Sequence, residues 1–86
     1  MGNLIMQVEV LLFAAVREAA GSDRIVVEVA DDACAQDIIT AVGQALPSVA
    51  PLMPACRIAI DANYAGPNEP VSTSSEVALI PPVSGG

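Results

Sequence analysis

Hydrophobic residues in this chain recur at two spacings, and the order in which those spacings alternate limits the fold more than any other feature. In MQVEVLLF, residues 6–13, Met6, Val8, Val10 and Leu12 alternate with Gln7, Glu9, Leu11 and Phe13. This is the period of two that a strand with two unlike faces requires. RIVVEV at 24–29, RIAIDA at 57–62 and EVALI at 76–80 repeat the strand signature. Between them AAVREAAG suits one or two helical turns closed by Gly21, and Ile38, Ile39, Val42 and Leu46 recur at helical spacing until Pro47. Asp31 and Asp32 are suited to starting that main helix, where acidic side chains cap N–H groups and complement the dipole. PSVAPLMPAC, with three prolines, predicts a short irregular turn, and NYAGPNEP an exposed loop, with a brief edge strand near 70–72. The order of strand, short helix, strand, long helix, strand, loop, strand predicts an α+β layer, a sheet covered on one face by one main helix. A β-grasp domain is consistent with it. The expected division is a single domain over 1–80 and a flexible tail over 81–86.

At 86 residues the chain can close one small core without a metal or a disulfide. With 53% hydrophobic but only 2% aromatic residues, that core must be built of Val, Ile, Leu and Ala. Three arginines (Arg17, Arg24, Arg57) face ten acidic residues, giving a formal charge of −7 with no Lys and no His. Nucleic acid is therefore an unsuitable partner, and a basic protein surface a suitable one. Missing His and Lys remove the usual neutral-pH base and the Schiff-base amine, so neither Cys34 nor Cys56 has an activating base. Both cysteines are expected to be reduced and at least partly buried. MGNLIMQVEV carries no basic n-region, position 6 is Met where myristoylation wants Ser or Thr, and no apolar run reaches membrane-spanning length. A cytoplasmic protein with no membrane partner is the expectation.

If Val8, Val10, Leu12, Ile58, Ile60, Val77 and Leu79 face the helix, alternation sends Leu11, Phe13, Ala59, Ala78 and Ile80 to the opposite face, with Gln7, Glu9, Arg57, Asp61 and Glu76. That outer face should be apolar at one end and charged at the other. It carries the chain's single Phe, which points to a docking patch rather than scattered surface hydrophobes. Phe13 and Ile80 would meet beside the tail if the first and last strands are parallel neighbours.

The chain closes on PPVSGG. Pro81 and Pro82 lack backbone donors and hold φ near −65°, so they end strand pairing and direct the chain outward. After Val83, Ser84, Gly85 and Gly86 add little bulk, and glycine permits close approach to another protein's catalytic groups. A carboxylate at Gly86 is ionised at neutral pH and resists nucleophilic attack until it is activated as an anhydride. Because this chain has no phosphate loop and no metal-ligand pattern, it is expected to bind no cofactor itself. ATP and magnesium would be used by an activating partner.

VLLFAAVREAAG, with Phe13, Ala14, Arg17 and Glu18, and EVALIPPVSGG, Glu76 to Gly86, resemble the small subunits of molybdopterin synthase, sulfur carriers with a ubiquitin-like β-grasp fold. Asn63 is similar to that family's turn asparagine, whereas Ser74 and Ser75 replace its usual Gly-Asp. The resemblance implies that a ubiquitin-activating-type adenylyltransferase attaches AMP to Gly86 and that a sulfurtransferase system leaves a thiocarboxylate there. The tail would then enter a pocket of the synthase large subunit, in an assembly of two small and two large subunits. Sulfur would pass to cyclic pyranopterin monophosphate to build the molybdopterin dithiolene, with this chain a non-catalytic donor subunit. By position Phe13, Ile80 and Leu11, with Pro81 to Ser84, match the partner-contact surface and tail, while Arg17 suits a partner contact or a structural ion pair equally. Three other readings stand beside it: a thiamine-pathway carrier, a protein modifier that joins Gly86 to lysines, and an interaction module with an inert tail.

Overall fold

The computed structural model describes residues 4–82. The element order is β1 (Ile5–Leu12), α1 (Ala14–Ala20), β2 (Arg24–Ala30), α2 (Ala35–Ala45), a 3₁₀ segment (Pro47–Ala55), β3 (Arg57–Ile60), β4 (Asn63–Ala65) and β5 (Val77–Ile80). The strands form one sheet in the order β2-β1-β5-β3-β4, with β1 and β5 parallel and the other neighbours antiparallel. This is the mixed, helix-covered sheet of a β-grasp domain, and its α+β layering is the one the periodicities predict. Among the described residues no helix is long and apolar enough to cross a membrane.

The inward set is the one that alternation assigns. Val8, Val10 and Leu12 of β1, Ile58 of β3 and Val77 and Leu79 of β5 are buried with Val27, Val16 and the Ile38 and Val42 face of α2. Ile60 is only half-buried, at the margin of this core. Cys56 is buried and Cys34 half-buried, both as free thiols. Gly21 closes α1 with φ 74° and donates its N–H to the carbonyl of Arg17 at 2.9 Å.

Four local expectations are corrected. The acidic pair Asp31–Asp32 lies in the exposed turn before α2 and caps nothing. The cap is Cys34, whose backbone N–H and thiol both donate to the Asp37 carboxylate, at 3.0 and 3.3 Å. A carboxylate three residues into the helix can reach back to these donors, whereas Asp31 and Asp32 precede the first turn by too much. The second correction concerns PSVAPLMPAC, which folds as nine residues of 3₁₀ turns rather than an irregular link. It buries Val49 and Met53, and Ser48 Oγ donates to the carbonyl of Ala19 at 3.1 Å. Gly43 of α2 lets it pack closely, since a Cβ there would stand 3.2 Å from Met53 Cγ.

Third, part of the expected loop is a strand: Asn63–Ala65 pairs with β3 through a two-residue turn whose central residues, Asp61 and Ala62, have φ of 51° and 71°. Both values being positive marks the hairpin turn that favours Asn-Gly or Asp-Gly, so Asp-Ala hides it from the sequence. Fourth, the edge strand near 70–72 is reduced to a single bridge, Cys34 with Pro70, beside the buried Val71. The serines standing before β5 form a turn in which Ser75 N–H donates to Ser72 O and the Ser72 hydroxyl accepts from Ser74 N–H, each at 3.1 Å. Residues 83–86, which include most of the expected tail, lie outside the described residues.

Two stability outcomes follow from these details. Its two bonds from Cys34, the backbone one foremost, hold the Asp37 carboxyl below the usual carboxylate range. The stabilisation is therefore complete above the ordinary carboxylate pKa of about 3.9 and is lost as pH falls through the depressed native value. In thermal unfolding, Asp37→Asn should lower the midpoint at neutral pH and should converge on the parent in strong acid. Ala62→Gly should instead raise stability by about 0.5–1 kcal/mol, because glycine adopts the left-handed region without a Cβ clash. Urea denaturation at neutral pH measures it.

Candidate functional site

The sheet face away from α2 is built by register. Leu11 of β1 lies opposite Ala78 of β5, Ala78 opposite Ala59 of β3, and Ala59 opposite Tyr64 of β4. One row of side chains thus crosses four strands with its two smallest members in the middle. Small residues over the central strands and large ones around them make a groove, since neighbouring strands lie only about 4.8 Å apart. Its volume is about 360 Å³, and Leu11, Phe13, Ala59, Tyr64, Ala78 and Ile80 contribute its apolar lining.

Five of the lining residues, Leu11, Phe13, Ala59, Ala78 and Ile80, are those that alternation sends to this face. Phe13 follows β1 and Ile80 ends β5, and because these strands are parallel both stand at the same end of the groove. Phe13 remains 42% exposed. Ala14, next to it, holds φ 50°, a left-handed position that turns the chain from β1 into α1 directly beside the groove.

Tyr64 is absent from the outward set that alternation assigns, because NYAGPNEP reads as a loop. It is 65% exposed, and the guanidinium carbon of Arg57 lies 5.5 Å from its ring centroid. The only signal that could have found it is a two-residue spacing between RIAI and NYA, without the glycine that normally announces such a turn.

Charge on this face is distributed differently from expectation. Glu76 stands at the far end, where Asp61 and Glu76 are tied reciprocally: Asp61 N–H donates to Glu76 O and Glu76 N–H to Asp61 Oδ1, both at 2.9 Å. Arg57, however, is opposite Ile80 at the apolar end. The sheet face is thus acidic at one end and cationic at the other, because β3 runs antiparallel to β5 and brings its first residue beside the last of β5. Gln7 and Glu9 belong to the β1–β2 side, where Gln7 donates to Glu28 at 3.3 Å and Glu9 pairs with Arg24 at 3.2 Å.

Pro81 is half-buried and Pro82 exposed, and with Arg57, Tyr64 and Ile80 they line a second depression of about 370 Å³ where the chain leaves the sheet. Val83, Ser84, Gly85 and Gly86 lie outside the described residues. Arg17 is exposed on α1 and forms no ion pair among the described residues, so the structural-pair reading of it has no support. Burial pushes the Cys56 thiol up, and it donates to the carbonyl of Leu52 at 3.1 Å, a structural role. Among the described residues no group of three or more His, Cys, Asp or Glu side chains is placed to hold a metal. The groove has the chemistry of a docking surface, and Pro81 and Pro82 stand beside it.

The comparisons with known proteins agree with this picture. The model of the ThiS family matches residues 10–86. The molybdopterin synthase sulfur carrier subunit of Chlamydomonas reinhardtii is 37% identical over 83 residues, covering 94% of this chain and 100% of that protein. The crystal structure of SAMP1 from Haloferax volcanii has a TM-score of 0.80 and 30% identity, covering 94% of this chain and 100% of that one. A chain from the complex of subunits 1 and 2 of the molybdopterin-converting factor of Helicobacter pylori has the same fold, with a TM-score of 0.64 at 24% identity, covering 94% and 100%.

Proposed function

The chain belongs to the ThiS family, and from that premise we propose that it is the sulfur carrier subunit of a molybdopterin synthase, with the Gly86 carboxylate as the group that is loaded. A ubiquitin-activating-type adenylyltransferase, using ATP and magnesium, supplies the activation: a Gly86 carboxylate oxygen attacks the α-phosphorus and pyrophosphate leaves. A persulfide sulfur on a sulfurtransferase then displaces AMP from the acyl carbon, and a second thiol cleaves the resulting acyl disulfide by forming a disulfide with the sulfurtransferase sulfur, leaving a thiocarboxylate. Two such carriers supply the two sulfurs that convert cyclic pyranopterin monophosphate to the dithiolene, in keeping with an assembly of two small and two large subunits.

The observation that carries this reading is spatial. Strand β5, which leads to the tail, is also a central strand of the groove, and Ile80 and Pro81 join the two. A large subunit seated on the groove is therefore held at a fixed distance from the place where the tail departs. Leu11, Phe13 and Ile80 bind it, Pro81 and Pro82 set the tail's direction, and Val83, Ser84 and Gly85 give the reach and slenderness that bring Gly86 into the partner's pocket. A net charge of −7 favours a basic partner face.

Phe13→Asp should weaken association with the large subunit by roughly 30–150-fold, the equivalent of about 2–3 kcal/mol, because it replaces a large apolar anchor by a charge that must be desolvated. Isothermal titration with the purified large subunit measures this, and an unchanged affinity would remove the groove from the interface.

A protein modifier is the second reading, favoured by the likeness to SAMP1, a small archaeal modifier protein. Both readings share the activation step and differ in the acceptor. Intact-mass analysis after incubation with adenylyltransferase, ATP, magnesium and a sulfur source tests the first. One oxygen replaced by one sulfur on the C-terminal fragment is expected. An unchanged mass in the presence of an activator that loads a control carrier rejects it, and isopeptide conjugates without thiocarboxylate favour the modifier.

A further inference from the structure

The two edges of the sheet are unlike. One is β4, three residues long and followed closely by Pro67. The other is β2, seven residues that include the β-branched run Ile25, Val26 and Val27 and no proline. A long straight edge without Lys, Pro or a bulge is a pairing surface unless something blunts it.

Backbone parity shows which groups of β2 are open. Leu12 N–H donates to Asp23 O at 2.9 Å and Asp31 N–H to Leu4 O at 3.0 Å, so the odd-numbered residues of β2 bond to β1 in this antiparallel register. The N–H and C=O of Arg24, Val26, Glu28 and Ala30 therefore point away from the sheet. At the ends they are engaged: the Ser22 hydroxyl donates to Arg24 O at 2.8 Å and accepts from Arg24 N–H at 3.3 Å, and Ala30 O accepts from Ala33 N–H at 2.9 Å. In the middle, Val26 and Glu28 have no backbone partner among the described residues, and the Val26 side chain is 54% exposed.

We propose that this edge pairs antiparallel with the same edge of a second copy of this chain, about a two-fold axis through Val26. The edge is complementary to itself only in that register. Val26 meets Val26 of the second copy, and Arg24 meets Glu28 twice, once on each side of the axis. A shift by two residues in one direction sets Val26 against Glu28, and a shift of four about Glu28 sets like charges together, which is unfavourable for directly opposed cross-strand residues. The chosen register makes six backbone hydrogen bonds. Rotation of Ser22 away from Arg24 gives up two side-chain bonds in each copy, while Arg24 keeps Glu9 within reach on its own sheet. The two five-stranded sheets become one continuous sheet, and the groove on β1, β5, β3 and β4 stays uncovered because the axis is perpendicular to the sheet. The charge of −7 on each copy opposes association, so the dimer is weak and depends on concentration.

Sedimentation equilibrium of the full chain, up to several millimolar, should show a reversible monomer–dimer equilibrium with a dissociation constant of about 0.1–1 mM. Amide NMR shifts that move with concentration should centre on Val26 and Glu28. Val26→Pro removes a donor that faces solvent in the monomer, so the fold persists and dimerisation is lost. R24E and E28R should each weaken self-association about tenfold, and mixing the two variants should restore it, since the mixed pair again opposes unlike charges. Thermal unfolding checks that each variant is folded. A chain that stays monomeric throughout overturns the proposal. So does a dimer that V26P and E28R leave unchanged, or concentration-dependent shifts confined to the groove.

Discussion

A chain lacking Gly85 and Gly86 should fold normally and carry no sulfur. Each residue removed withdraws the terminal carboxylate by about 3.3–3.6 Å. A misplacement of about 1 Å at a reacting centre already costs about 10²-fold, so a withdrawal of two residues should reduce loading to background. The bulk of the fold is unaffected, because among the described residues the core precedes Pro81. Unchanged thermal unfolding together with absent thiocarboxylate, read by mass spectrometry of the C-terminal fragment, is the expected pair of results. Adding one bulky residue after Gly86 should act alike, since it moves the acyl carbon and fills the narrow path meant for glycine. If either altered chain still supports dithiolene formation at the parent rate, the carrier reading fails.

Leu79→Ala is the largest expected change in stability. Leu79 lies opposite Leu12 on one side and Ile58 on the other, and none of the three is more than 1% exposed. Truncation there loses transfer free energy and leaves a cavity that three paired strands cannot close, about 3 kcal/mol by analogy with buried Leu→Ala changes. A domain of this size has roughly 4–13 kcal/mol in total, so roughly a quarter to three-quarters of its stability is removed. At about 4–8 °C per kcal/mol, the unfolding midpoint should fall by roughly 12–24 °C. Calorimetry measures it directly, and a shift of only a few degrees would mean that the neighbouring strands relax into the space. Because β5 also carries Ala78 and Ile80 of the groove, affinity for the large subunit should fall along with stability.

These two changes separate the parts of the molecule: one removes the chemistry and leaves the fold, the other weakens the fold beneath the docking face. The link between them is β5. Its inward residues hold the sheet together, its outward residues shape the groove, and its continuation through Pro81 and Pro82 is the tail. Such economy is available to a strand because successive side chains point to opposite faces.

The alternating runs in β1, β3 and β5, and the helical spacing of Ile38 and Val42, were sufficient by themselves to determine the α+β class, the inward core and most of the outward apolar set. Both periods are local properties of the backbone, and burial enforces them. The contribution of Tyr64, the cation at the apolar end of the sheet face and the true cap of α2 were decided only in three dimensions. Tyr64 reaches the groove through a turn held at positive φ without glycine, Arg57 is placed by the antiparallel register of β3 on β5, and Asp37 caps because Cys34 is extended. Each depends on a pairing or dihedral angle that residue types leave undetermined, since the same residues are compatible with more than one register and the tertiary contacts choose between them.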